Sequence, residues 1–338
     1  MKTYKVALGL FATFCVLALS ARIVHSQEKA TPSAVRVHMV ITDQSLSDNS
    51  EVPVLRPETV QVKLGKNVFK VDQLIPARGD NASLQLFILI DETCDTGIGN
   101  NLNDIRDFVN AQPESTVVGV AYMSNATIQI AQNFTADHAL AAKALRLPRG
   151  TLSSMDSPYL SLINLVKSWP QQKVRREVLM VTDGIDRLRD RWSSRGRMPS
   201  QGGLGPNARP AYDTMSHISP DADSASTNSQ RYGVIVHSIY ATGAGRLGRN
   251  ALEAQLGQSG IAKIADETGG EYYSLGTQNA VSFKPYLERL QRIFDNQYYL
   301  VFQAEPGKKE GLQRVNISTE AANADIAAAD SVWVPAGK

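Results

Sequence analysis

Residues 91–95 read Asp-Glu-Thr-Cys-Asp and follow directly on an apolar run, Ser83 to Ile90. Asp91, Glu92 and Asp95 crowd three carboxylates around the Thr93 hydroxyl and the Cys94 thiol. Like charges this close raise one another's pKa unless a cation or a set of hydrogen-bond donors compensates. Two more stretches offer oxygen ligands: Asp156-Ser157-Pro158, and V-L-M-V-T-D-G-I-D from Val178 to Asp186, which turns at Asp183-Gly184. Carboxylates and hydroxyls drawn from separate strand ends make an all-oxygen site, the kind that Mg²⁺, Mn²⁺ or Ca²⁺ selects. The competing reading is structural: Asp91 and Asp183 cap loops and helix ends through backbone amides.

Such a site needs elements that bring the three stretches to one edge. Leu84–Ile90, Val117–Met123, Val178–Thr182 and Gly233–Ala241 read as buried strands, and Thr127–Ile130 alternates. Helical patterns lie between them, at Ala136–Leu145, Pro158–Trp169, Asn250–Thr268 and Phe283–Phe294, with Leu102, Ile105, Phe108 and Val109 marking another helix face. Strands alternating with helices predict an α/β domain with a doubly wound, mostly parallel sheet covered on both faces. Before it lie three short alternating strands between Ala34 and Leu74. After it come Gln297–Gln303, Leu312–Thr319 and Ser331–Val334. A few strands alone bury little, so the two sets are expected to pack as one small β module into which the α/β domain is inserted. The expected boundaries are 27–82 and 297–338 for the β segments and 83–296 for the α/β domain. Arg187–Arg231 shows no periodicity and reads as a long polar loop at the carboxyl end of the sheet, rich in arginine at its start.

The chain has 338 residues, 43% of them apolar, and 35 basic against 33 acidic side chains give a formal net charge of +2. That balance offers no global attraction for nucleic acid or an anionic membrane. Lys2 and Lys5 precede the uncharged run Val6–Ala21, and Val24-His25-Ser26 suits a cut before Gln27, so residues 1–26 read as a secretory signal. Left uncleaved, the run would be the chain's one route to a membrane, but it falls short of the roughly 20 residues needed to span. Phe14 before Cys15 is unlike a lipid-anchor signal. Once the signal leaves, Cys94 is the only cysteine, and no internal disulfide can form. The expected location is secreted, periplasmic or cell envelope.

A strand ending in D-x-T-x-D, a later Ser before a helix, and a strand ending in T-D-G resemble the von Willebrand factor type A (VWFA) domain and its metal-ion-dependent adhesion site. The run Ile264–Tyr273 resembles that domain's last helix-to-strand turn, and the flanking β segments resemble secreted bacterial VWFA-related proteins. The resemblance covers about residues 34–335. It implies a Rossmann-like fold that binds proteins and catalyses nothing. In it Asp91, Thr93, Ser157 and Asp183 match the family's first Asp, first Ser, Thr and second Asp. The hydroxyls would touch one divalent cation, the aspartates would hold it largely through water, and an acidic side chain of a protein partner would complete it. This sequence departs from the pattern at Asp95, where the family has Ser, and at Cys94, where it commonly has Gly. An added Asp95 carboxylate would tighten the cation yet weaken its attraction for an acidic ligand, so a working and a degenerate site both stand open.

Other chemistry is thinly supported. Gly243-Ala-Gly245-Arg-Leu-Gly248 fits the dinucleotide fingerprint but falls late in the sheet. His38, His138, His217 and His237 lack ligand spacing, and neither G-x-S-x-G nor H-E-x-x-H occurs. The sequons at Asn81, Asn125, Asn133 and Asn316 matter only in a glycosylating host. The sequence thus predicts an exported, non-catalytic, adhesion-type protein-binding module, with a metal-independent scaffold of a cell-envelope complex as the alternative.

Overall fold

The computed structural model describes residues 34–45, 55–170, 172–188, 219–244, 251–276, 278–305 and 309–336. The expected signal, 1–26, lies outside them, as do Arg189, Arg191, Arg195, Arg197, His217 and the end of the glycine motif, 245–248. Two sheets carry the architecture. The first joins both ends of the chain: β1 (Val35–Asp43), β2 (Val60–Leu64), β3 (Asn67–Pro76), β10 (Gln297–Ala304), β11 (Gly311–Thr319), β12 (Ile326–Ala328) and β13 (Ser331–Val334). Their order is β12-β1-β10-β3-β2-β11-β13, with every neighbouring pair antiparallel. Val37, Ile41, Val62, Leu300 and Phe302 form the core of this sheet.

The second sheet comprises β4 (Leu84–Asp91), β5 (Thr116–Ser124), β6 (Thr127–Thr135), β7 (Arg175–Thr182), β8 (Ile235–Tyr240) and β9 (Tyr272–Tyr273), in the order β6-β5-β4-β7-β8-β9. It is mixed. Strands β5, β4, β7, β8 and β9 run parallel, and β6 folds back antiparallel on β5 at the edge. The helices are α1 (Gly99–Asn110), α2 (His138–Ala144), α3 (Pro158–Ser168), α4 (Pro220–Tyr232), α5 (Ala251–Thr268) and α6 (Lys284–Asp295). All eight residues of β4 and all eight of β7 are buried, because α1, α2 and α6 cover one face and α3, α4 and α5 the other. A fully buried Leu or Ile such as Leu86 or Ile88 contributes about 1.5–3 kcal/mol, so these strands anchor the domain.

Helix α4 corrects the expectation of a structureless 187–231 segment. Its buried face is Ala222, Ala225, Ser226, Ser229 and Gln230, small or polar residues that give a helical stripe no apolar contrast. Its ends follow ordinary capping chemistry: the Ser219 hydroxyl accepts from the Asp221 amide at 3.2 Å, Pro220 opens the first turn, and Gly233 closes it at φ +62°. Arg175, at the start of β7, ties the two sheets together. Its guanidinium donates to the Phe294 carbonyl (2.8 Å), Gln297 Oε1 (2.7 Å) and the Ala82 carbonyl (2.6 Å), where the chain passes between the sheets.

Candidate functional site

Strands β4 and β7 are parallel neighbours in register, Ile90 beside Val181, so Asp91 and Thr182-Asp183 leave the sheet at the same rim. Asp91 is 3% exposed and Asp183 is fully buried. The Asp91 carboxylate is satisfied from within: Oδ1 accepts from the Thr93 amide (2.9 Å) and hydroxyl (2.8 Å), and Oδ2 accepts from the Thr182 hydroxyl (2.6 Å). Burial first, and the charge of Asp183 second, push the Asp91 carboxyl up to about 6, against the opposing pull of Thr182, Arg187 and the Thr93 amide.

The loop after β4 is stitched to the loop after β8. The Asp95 amide donates to the Thr242 carbonyl (2.8 Å) and the Ala244 amide to the Thr93 carbonyl (2.7 Å). Cys94 is buried between them with its thiol toward the Val181 carbonyl, 3.8 Å away. Burial pushes that thiol well above its usual range, which leaves it a packing group rather than a nucleophile.

Asp183 begins a tight turn. Its Oδ1 accepts from the Ile185 amide at 3.0 Å, and Gly184 adopts φ +70°. The chain therefore doubles back and lays Arg187 over the carboxylate of Asp183. Arg187 Nη2 lies 2.5 Å from Asp183 Oδ2, while Nη1 lies 3.3 Å from both Asp183 Oδ1 and Thr93 Oγ1. Burial lowers the Arg187 pKa, but Asp183's charge and hydrogen bonds outweigh it and raise the group above its ordinary value.

The remaining predicted ligands are committed elsewhere. Asp95 caps the short helical turn Thr96–Ile98, its Oδ1 accepting from the Gly97 amide at 2.7 Å. Ser157 caps α3, its hydroxyl facing the Leu160 amide at 3.4 Å. Its neighbour Asp156 accepts from the amides of Asn125 (2.8 Å) and Ser153 (2.6 Å). Among the described residues no group of three or more His, Cys, Asp or Glu is placed to hold a metal ion. The residues at the rim do not fit a divalent cation as they stand. Asp91 already accepts three hydrogen bonds from its own loop and β7, and the cation-facing oxygens of Asp183 are paired with a guanidinium, which occupies the place between them.

Several members of this rim have roles that the sequence pattern does not signal. Thr182 bridges β7 to Asp91, and Glu92 faces the other way. The Glu92 carboxylate, 2% exposed, accepts from Arg146 Nη1 (3.2 Å), from Arg146 Nη2 and from the Arg149 amide (2.7 Å). Burial raises its pKa, but these bonds outweigh burial and hold it below the usual carboxylate range. The Gly150 amide also donates to the Glu92 carbonyl at 3.0 Å, so the 145–157 loop is fastened over the strand end. On the opposite face Tyr159 donates to the Gly184 carbonyl at 2.7 Å. The buried His237, on β8, lies 2.8 Å from Glu177 through Nε2 and accepts the Glu271 amide at Nδ1, far from any ligand set.

No family model matches the chain, and no curated protein does. Several solved structures are similar to it. An aerotolerance-related membrane protein from Bacteroides fragilis is 13% identical over 63% of this chain and 99% of that one, at a TM-score of 0.39. Three N-terminal domains of a type V pili tip protein from Porphyromonas gingivalis are 9% identical over 91% and 67%, at 0.37. A third, 10% identical over 90% of this chain and 75% of that one at 0.37, is a von Willebrand factor type A protein from Catenulispora acidiphila, of the family whose strand-end motifs the sequence resembles.

Proposed function

We propose that this chain is an exported, non-catalytic VWFA-type module that binds a protein partner at the carboxyl rim of its six-stranded sheet and does so without a divalent cation. One observation carries the reading: the 145–157 loop, fixed to the strand end through Glu92, presents Leu147, Leu152 and Met155 at 49%, 41% and 45% exposure. Three large apolar side chains fall within nine residues of a pinned loop, and covering them with a partner would release water. Arg146 and Arg149 border it with side chains 42% and 58% exposed, which suits carboxylates on the partner. Export is supported by the sequence pattern of residues 1–26, and a metal-independent scaffold of a cell-envelope complex is the alternative.

The cation-dependent version, with Asp91, Thr93, Asp95, Ser157 and Asp183 around Mg²⁺, Mn²⁺ or Ca²⁺, is the weaker reading. Two of those five side chains cap helical turns, and Asp183 is paired with Arg187. Nor does the rim favour catalysis. Its hydroxyls and carboxylates are bonded to one another, and its thiol is sealed.

A photo-crosslinking residue placed at Leu152, with one at Val68 on β3 as an exposed control, tests the proposal in the producing cell. The expected result is a discrete adduct from position 152, absent from position 68 and unchanged by chelator. Equal labelling at both positions, or none at 152, would remove the rim as the docking surface.

A further inference from the structure

We infer that Arg187 is the built-in cation of the strand-end site: its guanidinium takes the place a divalent ion would hold between Asp183, Asp91 and Thr93, and its removal turns the site into one that binds such an ion. This concerns the occupant of the site and stands apart from the question of which partner docks on the rim.

Three observations converge on it. First, the contacts are those of a ligand set closing on a cation. Arg187 reaches both oxygens of a fully buried carboxylate and the hydroxyl of Thr93, and Thr93 in turn donates to Asp91 at 2.8 Å. A planar guanidinium supplies fixed, always-charged donors to such a cluster and needs no exchangeable ion.

Second, the backbone is shaped to deliver it. The turn at Asp183–Ile185 and the positive φ of Gly184 return residue 187 over its own strand end, and Nη1 also lies 3.4 Å from the Ile185 carbonyl. Third, the surroundings leave room for the pair and for little more. A Cβ on Gly243 would stand 2.1 Å from Asp183 Oδ2 and 3.0 Å from Arg187 Nη2, so the glycine is what lets the ion pair sit there. With the guanidinium in place a metal ion would meet a like charge and oxygens already engaged. Without it, two buried carboxylates and two hydroxyls, Thr93 and Thr182, would face one another with no compensating charge.

The test is Mn²⁺ binding by the full chain, followed by electron paramagnetic resonance, with folding checked by circular dichroism. Wild type is expected to bind no Mn²⁺ that Asp183→Asn abolishes. Arg187→Ala is expected to gain one site, at least about tenfold tighter than anything in wild type, because the repelling charge is gone. The double variant Arg187→Ala/Asp183→Asn should lose it, and Arg187→Lys should stay close to wild type.

Thermal melting adds a second readout. Loss of a buried partner should lower the Arg187→Ala midpoint by roughly 6–10 °C in chelator, and Mn²⁺ should restore part of it. If Arg187→Ala is unfolded with and without Mn²⁺, Arg187→Gln decides in its place, being of similar length and uncharged. Two results overturn the inference: a wild-type Mn²⁺ site lost in Asp183→Asn, or a folded Arg187→Ala or Arg187→Gln protein that binds no Mn²⁺.

Discussion

Replacing Asp91 by Asn changes one charge and almost no volume, and the structure fixes the sign of its effect. The Asp91 carboxyl is pushed from 3.8 to about 6 by burial and by Asp183. A carboxyl whose folded pKa is raised makes the fold hold a proton that the unfolded chain gives up, so stability falls as pH rises from about 4 to about 6 and stays reduced above that. About 2 pKa units correspond to roughly 3 kcal/mol. The amide introduced by Asp91→Asn carries no charge to desolvate. Its oxygen can keep both bonds from Thr93, and its nitrogen can donate to Thr182, whose hydroxyl also accepts from the Gly184 amide at 3.0 Å. Urea unfolding of wild type and Asp91→Asn between pH 3.5 and pH 8 isolates the group through the difference between the two proteins. That difference should move in favour of the variant by up to about 3 kcal/mol across the window and then level off. If Asp91→Asn is instead less stable than wild type at pH 8, with a difference that grows as pH rises, Asp91 is a wanted charge with an unseen counter-ion and the reasoning fails.

Two further perturbations follow from the same rim. Gly257→Ala would place a Cβ 2.3 Å from the Asp183 carbonyl oxygen, backbone against backbone, so α5 must retreat from the β7 turn. Calorimetry should show a loss of at least about 3 °C in midpoint, whereas Gly311→Ala, with nothing within 4 Å, should stay near wild type. Glu92→Gln should cost about 2 kcal/mol at pH 7 by weakening the charge-assisted bonds to Arg146 and the Arg149 amide. Its sign with pH is opposite to that of Asp91. Because Glu92's pKa is held down in the fold, its stabilisation is present above the unfolded value and disappears as pH falls through the folded one, so denaturation curves of the two proteins should converge in acid.

Much of this fold was legible in the sequence where apolar residues are large and periodic. The all-buried β4 and β7, the Ser157-Pro158 start of α3 and the terminal strands that share one sheet all announce themselves by pattern. Helix α4 does not, because Ala222, Ala225, Ser226 and Ser229 bury a face that no hydropathy contrast marks. The strand-end carboxylates were legible too, and Asp91 and Asp183 leave the sheet at one rim. Their chemistry was not. Arg187 stands four residues after Asp183, and no sequence pattern marks the turn that brings it back. Only the positive φ of Gly184 and the space left at Gly243 show that the chain folds the guanidinium back. Ser157 matched a ligand pattern in order, and Asp95, which departs from that pattern in type, offered an added carboxylate, yet both residue types are favoured helix caps, and side-chain direction shows each capping a helical segment.

The most direct measurement is a crystal of the wild-type chain soaked in saturating Mn²⁺, with an anomalous difference map at the β4–β7 rim. An internal-cation site predicts continuous density for Arg187 against Asp183 and Thr93 and no anomalous peak between Asp91 and Asp183. A peak there, with the guanidinium swung away toward solvent, would contradict it.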